Sequence, residues 1–323
     1  MLPILTFQPI FKERIWGGQE LRRLYGKPLP SDTRIGESWE ISDRPGDESV
    51  VAAGPWQGRS LRQIMEQRAG DLLGPVKPPS KRFPLLIKII DARAALSLQV
   101  HPPAALAAGL GGEPKTEMWY VAQAGPAAEL FAGLKNGVTR EEFEKQLAAG
   151  TVAACFHRIP VKAGDAMFLP SGRVHALGAD TVIFEIQQNS DTTFRVFDWN
   201  RLDAAGNPRQ LHTAQSLASI DFADFQPSLL PDGTGPGYPG TIRPLVKDKL
   251  FQVSLRRMER GGSLAMRGGL MQIIGVVEGV LRVSHQGQGA ALTAGGFCLI
   301  PACCGQPVAS AEEDTGFLQI QLG

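Results

Sequence analysis

Several kinds of residue are scarce in this chain, and each scarcity excludes something. Only four cysteines occur in 323 residues, Cys155, Cys298, Cys303 and Cys304. They are too few and too irregular for a disulfide framework, and none shows the C-x-x-C spacing of a zinc knuckle, so they read as reduced structural thiols. Neither sign of charge dominates: 33 Lys and Arg stand against 32 Asp and Glu. No global field recruits nucleic acid or an anionic membrane, and any bound anion must be held by a local cluster. No apolar run approaches the length of a membrane span, and the start Met1-Leu-Pro-Ile-Leu-Thr-Phe-Gln8 lacks a charged n-region and a cleavage site. Residence in the cytoplasm is expected. Histidine is scarce too, with five residues, His101, His157, His175, His212 and His285.

What is present is a 43% hydrophobic composition, enough for a large core and, at this length, two domains. Two segments read as helices, Ser60 to Ala69 and Thr139 to Leu147, the second with Thr139 and Glu142 at capping-box spacing. Pro84 to Asp91, Ala94 to Val100, Glu117 to Gln123, Thr181 to Gln187 and Thr193 to Phe197 read as strands, rich in branched or aromatic residues and bounded by Gly, Pro or Asp. The expectation is a β-dominated architecture with helical trim. Gln226 to Gly240 is mostly turn formers and reads as a linker. The boundary falls near residue 235, which gives units 1–235 and 236–323. A faint repeat aligns Val161 to Pro170 with Leu292 to Pro301 and puts Gln306 in the place of His175, so the second unit has lost that histidine.

The segment from Gly164 to His175 is the most informative. Gly164 opens a turn, Ala166 to Leu169 reads as a buried strand, and Pro170 with Gly172 make a second turn that aims His175 inward. On the strand ending at His101, Ser97, Gln99 and His101 alternate onto one face while Leu96, Leu98 and Val100 take the other. Three polar residues facing an interior need a partner, because unpaired burial costs about 1 to 3 kcal/mol per group. A cation with Gln99, His101, Glu117 and His175 around it supplies one. Two imidazoles and a carboxylate with an open position suit catalytic zinc, and also Mn, Fe or Co; the absence of a redox signature favours one Zn2+ per chain.

The turn, strand, turn, histidine unit resembles the second signature of the cupin superfamily. More specifically, the chain resembles type I mannose-6-phosphate isomerases of the short bacterial form. The matching stretches are Trp16-Gly-Gly, Gly36-Glu-Ser-Trp-Glu-Ile-Ser42, Leu86 to Pro102, Pro114-Lys-Thr-Glu-Met-Trp-Tyr120, the segment ending at His175, and Asn189-Ser-Asp-Thr-Thr-Phe-Arg195. They run in family order over roughly residues 7 to 220. The resemblance implies an all-β dominated fold of two cupin (jelly-roll) β-barrels with a few peripheral helices, the second degenerate. It implies zinc on Gln99, His101, Glu117 and His175, an active-site arginine at Arg195 with Asp191 before it, and Lys115 near metal and sugar. Lys88 and Ser97 fall at positions proposed to hold the substrate phosphate, and Trp16 joins the pocket through its Trp-Gly-Gly turn. The chain departs from the family at Pro103, where many members carry Asp, and at Ala179, where cupins usually carry Asn.

The implied activity interconverts mannose 6-phosphate and fructose 6-phosphate through a cis-enediol whose oxyanion needs a Lewis acid and a permanent cation such as Arg195. The general base is open among a metal-activated water, Lys115, Asp191 and a histidine outside the metal set. A small sugar phosphate is the expected partner, with no nucleic acid and no membrane, for a monomer or weak homodimer. Two other readings compete, a non-catalytic sugar-phosphate-binding or regulatory cupin and a non-haem iron oxygenase.

Overall fold

The computed structural model describes residues 1–78, 80–202, 206–233 and 242–323. Residues 234–240 of the expected linker, and with them the boundary near residue 235, lie outside the described residues. The described chain is dominated by strands that form four larger sheets and one short hairpin. The first sheet orders β1 (Ile10–Gly18), β2 (Ile35–Ile41), β5 (Leu85–Ala92), β12 (Thr181–Gln188), β7 (Glu117–Ala124) and β10 (Ala166–Leu169). The second orders β13 (Phe194–Phe197), β6 (Leu98–Val100), β11 (His175–Leu177), β8 (Glu129–Leu134) and β9 (Phe156–Pro160). The third holds β14 (Ile242–Lys247), β15 (Phe251–Met258), β22 (Thr315–Leu322), β17 (Gln272–Glu278) and β20 (Phe297–Ile300). The fourth holds β16 (Ser263–Ala265), β21 (Val308–Ala311), β18 (Val280–His285) and β19 (Gln288–Thr293), and β3 (Asp43–Arg44) pairs with β4 (Asp47–Glu48).

These sheets form two facing pairs, and among the described residues none closes into a barrel. Ile90, Trp119, Val121, Met167 and Ile183 of the first sheet meet Leu130, Ala132 and Leu177 of the second in one buried cluster. On its other face the first sheet sends Ile87, Ile89, Met118, Tyr120 and Phe184 against Phe251, Val253, Ile273, Leu299 and Ile320 of the third. The first sheet is therefore covered on both faces, which is why β5 is buried along its whole length and reads as a mainly apolar run, interrupted by Lys88 and Asp91, rather than an alternation. Ile274, Val276, Leu281, Val283 and Phe317 fill the space between the third and fourth sheets.

The helices lie outside these layers. α1 spans Glu20–Tyr25, α2 Leu61–Leu73, α3 Ala104–Ala107, α4 Arg140–Ala148 and α5 Thr213–Ser219. Ser60 caps α2 in a full capping box with Gln63. The helix continues past the expected end at Ala69, through a non-helical Arg68, because Leu72 and Leu73 bury in the same core as Leu61 and Ile64. At α4 the box is half made: the Thr139 hydroxyl accepts from the Glu142 amide, but the Glu142 carboxylate accepts from Gln146 instead of returning.

The expected strand Ala94–Val100 shortens to Leu98–Val100. Upstream carbonyls go elsewhere, Ala95 accepting from the Arg201 guanidinium and Leu96 from the Trp199 indole. Leu96 consequently joins the interior cluster with Trp16 and Ile90 instead of facing away.

Candidate metal centre and its cavity

Three of the expected ligands converge at the buried junction of β7, β11 and the end of β6. The ligand atoms of His101, Glu117 and His175 all lie within 4.8 Å of one another, and all three residues are buried. Two turns put His175 there. Gly164 and Gly172 adopt φ of 93° and 96°, conformations that side-chain-bearing residues rarely take, and the Gly172 amide donates to the His101 carbonyl. β10 then pairs Leu169 opposite Glu117, while β11 pairs His175 opposite Gln99.

The imidazoles are oriented from behind. Nδ1 of His101 donates to the Thr192 carbonyl at 2.8 Å, and Nδ1 of His175 to the Arg173 carbonyl at 2.9 Å. A carbonyl only accepts, so each ring carries its proton on Nδ1 and turns an Nε2 lone pair inward. His101 Nε2 lies 3.6 Å from Glu117 Oε2, and His175 Nε2 lies 3.3 Å from Glu117 Oε1. The Gln99 amide stands 3.2 Å from His175 Nε2. Burial, then the Lys115 charge, lowers the His101 pKa to about 3, and burial lowers that of His175. Both rings are neutral at pH 7, as ligation requires. Burial alone would raise the Glu117 pKa, but the opposing interactions, led by the Lys115 ammonium at 2.7 Å, outweigh it and hold the carboxyl well below its usual range. Neither Glu117 oxygen accepts a well-directed hydrogen bond. Two inward lone pairs, an ionised carboxylate with orphaned oxygens and an adjacent amide make a donor set that fits a divalent cation.

A cavity of about 330 Å³ opens beside this cluster, and Gln99 and Lys115 belong to both. Trp16, Lys88, Ser97, Asp191 and Arg195 all line it, so every expected site residue that is not a buried ligand borders one space. Four charged residues absent from the expected set line it as well: Arg14, Glu37, Glu185 and Arg209. Lys88 is nearly fully buried and lies 3.2 Å from Glu185 and 3.5 Å from Glu37, with its ammonium over the Trp39 ring. The two carboxylates respond differently. Burial would raise Glu37, yet Lys88 and Arg14 bring it down to about 2, whereas burial dominates at Glu185 and raises its pKa.

Arg195 makes no salt bridge to Asp191 or Asp198. Asp198 pairs with Arg201 and Arg209 instead. One Arg195 amino group donates to the neutral Gln210 carbonyl at 2.6 Å, and Nε is buried without a partner. Its backbone amide donates to Nδ1 of His212, whose own amide donates to the Arg195 carbonyl. His212, which the sequence motifs leave aside, thus fixes the strand that carries Arg195. Glu40, inside the matching stretch Gly36 to Ser42, pairs with Lys27 at 2.7 Å and does not line the cavity.

Comparison with known proteins agrees with this geometry. A family model described as phosphomannose isomerase type I, catalytic domain, matches residues 4–122. A Bacillus subtilis protein named as a probable mannose-6-phosphate isomerase, GmuF, is 34% identical over 305 residues, covering 94% of either chain. A mannose-6-phosphate isomerase of Streptococcus mutans is 44% identical over 214 residues, 66% of either chain. The crystal structure of the mannose 6-phosphate isomerase from Bacillus subtilis superimposes with a TM-score of 0.88 at 29% identity, over 99% of this chain and 100% of that one.

Proposed function

The chain belongs to the type I phosphomannose isomerase family, and from that membership we propose that it interconverts mannose 6-phosphate and fructose 6-phosphate through a cis-enediol, with one Zn2+ held by Gln99, His101, Glu117 and His175. The observation that carries this reading is the convergence of two inward Nε2 lone pairs on a buried carboxylate, each ring locked by a backbone carbonyl behind it. A divalent cation bound there supplies Lewis acidity toward the oxygens on C1 and C2 of the sugar. In this reading the paired sheets are cupin units, and the working protein is a cytoplasmic monomer or weak homodimer.

The remaining roles fall to the cavity wall. Arg195 is permanently charged and has no carboxylate partner among the described residues, which leaves its guanidinium to stabilise the enediolate oxygen. Lys115, anchored on Glu117, and Asp191 at the exposed rim are the candidates to hold the proton that passes between C2 and C1. The Trp16 indole offers an apolar face to the ring carbons. Lys88 and Ser97 border the space proposed for the phosphate. Lys88 already neutralises two carboxylates, so Arg209 shares that task.

The test is a coupled assay on mannose 6-phosphate beside mannose and glucose 6-phosphate, with metal content measured on the same sample. Turnover of mannose 6-phosphate alone, abolished by chelation and restored by zinc, is expected. Activity indifferent to thorough chelation would exclude the metal reading, and binding without turnover would favour a sugar-phosphate-binding protein.

A further inference from the structure

The second pair of sheets repeats the strand order of the first, without counterparts of the edge strands β1 and β13. The order β14-β15-β22-β17-β20 retraces β2-β5-β12-β7-β10, and β16-β21-β18-β19 retraces β6-β11-β8-β9. Register makes the equivalence specific. Glu117 opens β7 opposite Leu169 and Gln187, and Gln272 opens β17 opposite Ile300 and Gln321. Counting along the strands, Gln319 stands where Glu185 stands, and Ser254, opposite Gln319, stands where Lys88 faces Glu185. At these three stations Glu117, Glu185 and Lys88 are replaced by the neutral Gln272, Gln319 and Ser254. β16 and β21 carry no histidine, and Met266 and Ala309 pack in an apolar cluster.

The space does not vanish with the charges. A cleft of about 450 Å³ opens there, along the strands β15 and β22, and no Asp or Glu lines it. Its walls carry Lys247, Arg256 and Arg267 with Gln252, Ser254 and Gln321. Arg256 occupies the station of Ile90 and is half-buried. Its Nε donates to the Gln319 carbonyl oxygen, its two terminal amino groups make no hydrogen bond to a described residue, and burial lowers its pKa with no charged neighbour to offset it. Among the described residues, neither Lys247 nor Arg267 forms an ion pair either. The amides beneath are fixed: Gln319 and Gln321 both donate to the Gln272 oxygen, whose own amide donates to the Arg267 carbonyl.

Three cations line one concavity without an ion pair among the described residues and leave the terminal amino groups of a guanidinium fork without an acceptor, a combination an anion relieves. Amide and hydroxyl groups on the same wall suit a polyol. We propose that this cleft is a second, metal-independent binding site for a phosphate monoester of a small polyol, with the phosphate on Arg256, Lys247 and Arg267 and the hydroxyls on Gln252, Ser254 and Gln321. The site stands apart from the isomerase centre and does not depend on that assignment.

Equilibrium dialysis of the metal-loaded protein against labelled mannose 6-phosphate tests it, with inorganic phosphate and mannose as competitors. Two equivalents are expected for the wild type and one for Arg256→Gln, with turnover in the coupled assay unchanged. Lys247 is exposed, so Lys247→Glu perturbs the charge without threatening the fold, and the second equivalent should weaken at least tenfold in that variant. Inorganic phosphate should displace the second equivalent and mannose should not. No equivalent lost in either variant relative to the wild type, or displacement by mannose as effective as by phosphate, would overturn the proposal. A protein without isomerase turnover that still binds this equivalent would sink the isomerase assignment and leave the second site standing.

Discussion

The first and second sandwiches use one strand order to opposite electrostatic ends. Between the first and second sheets, Glu117, Lys115, Lys88, Glu37 and Glu185 are buried and ionisable. At the equivalent stations between the third and fourth, Gln272, Gln319 and Ser254 are neutral, and Gln319 donates to Gln272 at 2.5 Å. Buried charges require compensation that amides do not, since replacing a buried ion pair by neutral groups is often neutral or stabilising. The second half shows that this strand order folds without such charges. In the proposed reading those in the first half serve the chemistry, and Glu117, with no well-directed hydrogen bond to either oxygen, is the clearest case.

Substituting the second half's residue into the first is the sharpest way to break the contrast. Glu117→Gln should leave a folded protein, because an amide is what the same station carries at Gln272, yet remove the ionised ligand and strand Lys115. Metal content should collapse and turnover should fall by about a thousandfold or more, the scale on which a preorganised electrostatic contact acts. Full zinc occupancy with normal turnover would show that the orphaned carboxylate is structural. Arg195→Ala ranks next. It removes a guanidinium that meets no carboxylate, so metal content and thermal midpoint should hold while kcat drops roughly a hundredfold. Loss of metal together with activity would move Arg195 from chemistry to scaffolding.

The residues that mark the centre are legible in the sequence because each interrupts a pattern. His175 follows two glycine turns, Ser97 and Gln99 break an apolar run, and the expected ligands do meet. Glu37 and Glu185 carry the same signal, an acid inside an otherwise buried strand, but a single strand does not say which face it turns inward or which cation awaits it. Arg209 and His212 carry no local signal at all. Their positions follow from non-local contacts that fold the chain after β13 back onto it: the His212 amide donates to the Arg195 carbonyl, and the Arg209 guanidinium pairs with Asp198. Sheet closure is equally non-local. Nothing in the strand patterns specifies that the edges stay open, and Gln306, which a gap-free repeat puts in the place of His175, lies in the bend before β21 and outside any strand.

The smallest effect concerns Asp91, one residue beyond the Ile90 and Arg256 pair of stations. Its counterpart by register is Arg257, which is exposed and paired with Glu278. Asp91 is instead buried beneath α1 and accepts from the Glu20 amide at 2.7 Å. Burial pushes its pKa up to about 6, and the backbone donors only partly oppose this. The folded state therefore keeps a proton that the unfolded chain, titrating near 3.8, releases first. Where the folded state binds more protons, stability falls as pH rises, here between about pH 4 and about pH 6, and the loss is complete above that window. Asp91→Asn keeps an oxygen for the α1 amides and removes the titration. Urea midpoints of the two proteins should coincide near pH 4 and separate in favour of the asparagine variant toward pH 7. A separation that does not change with pH would mean that the α1 amides hold Asp91 ionised throughout.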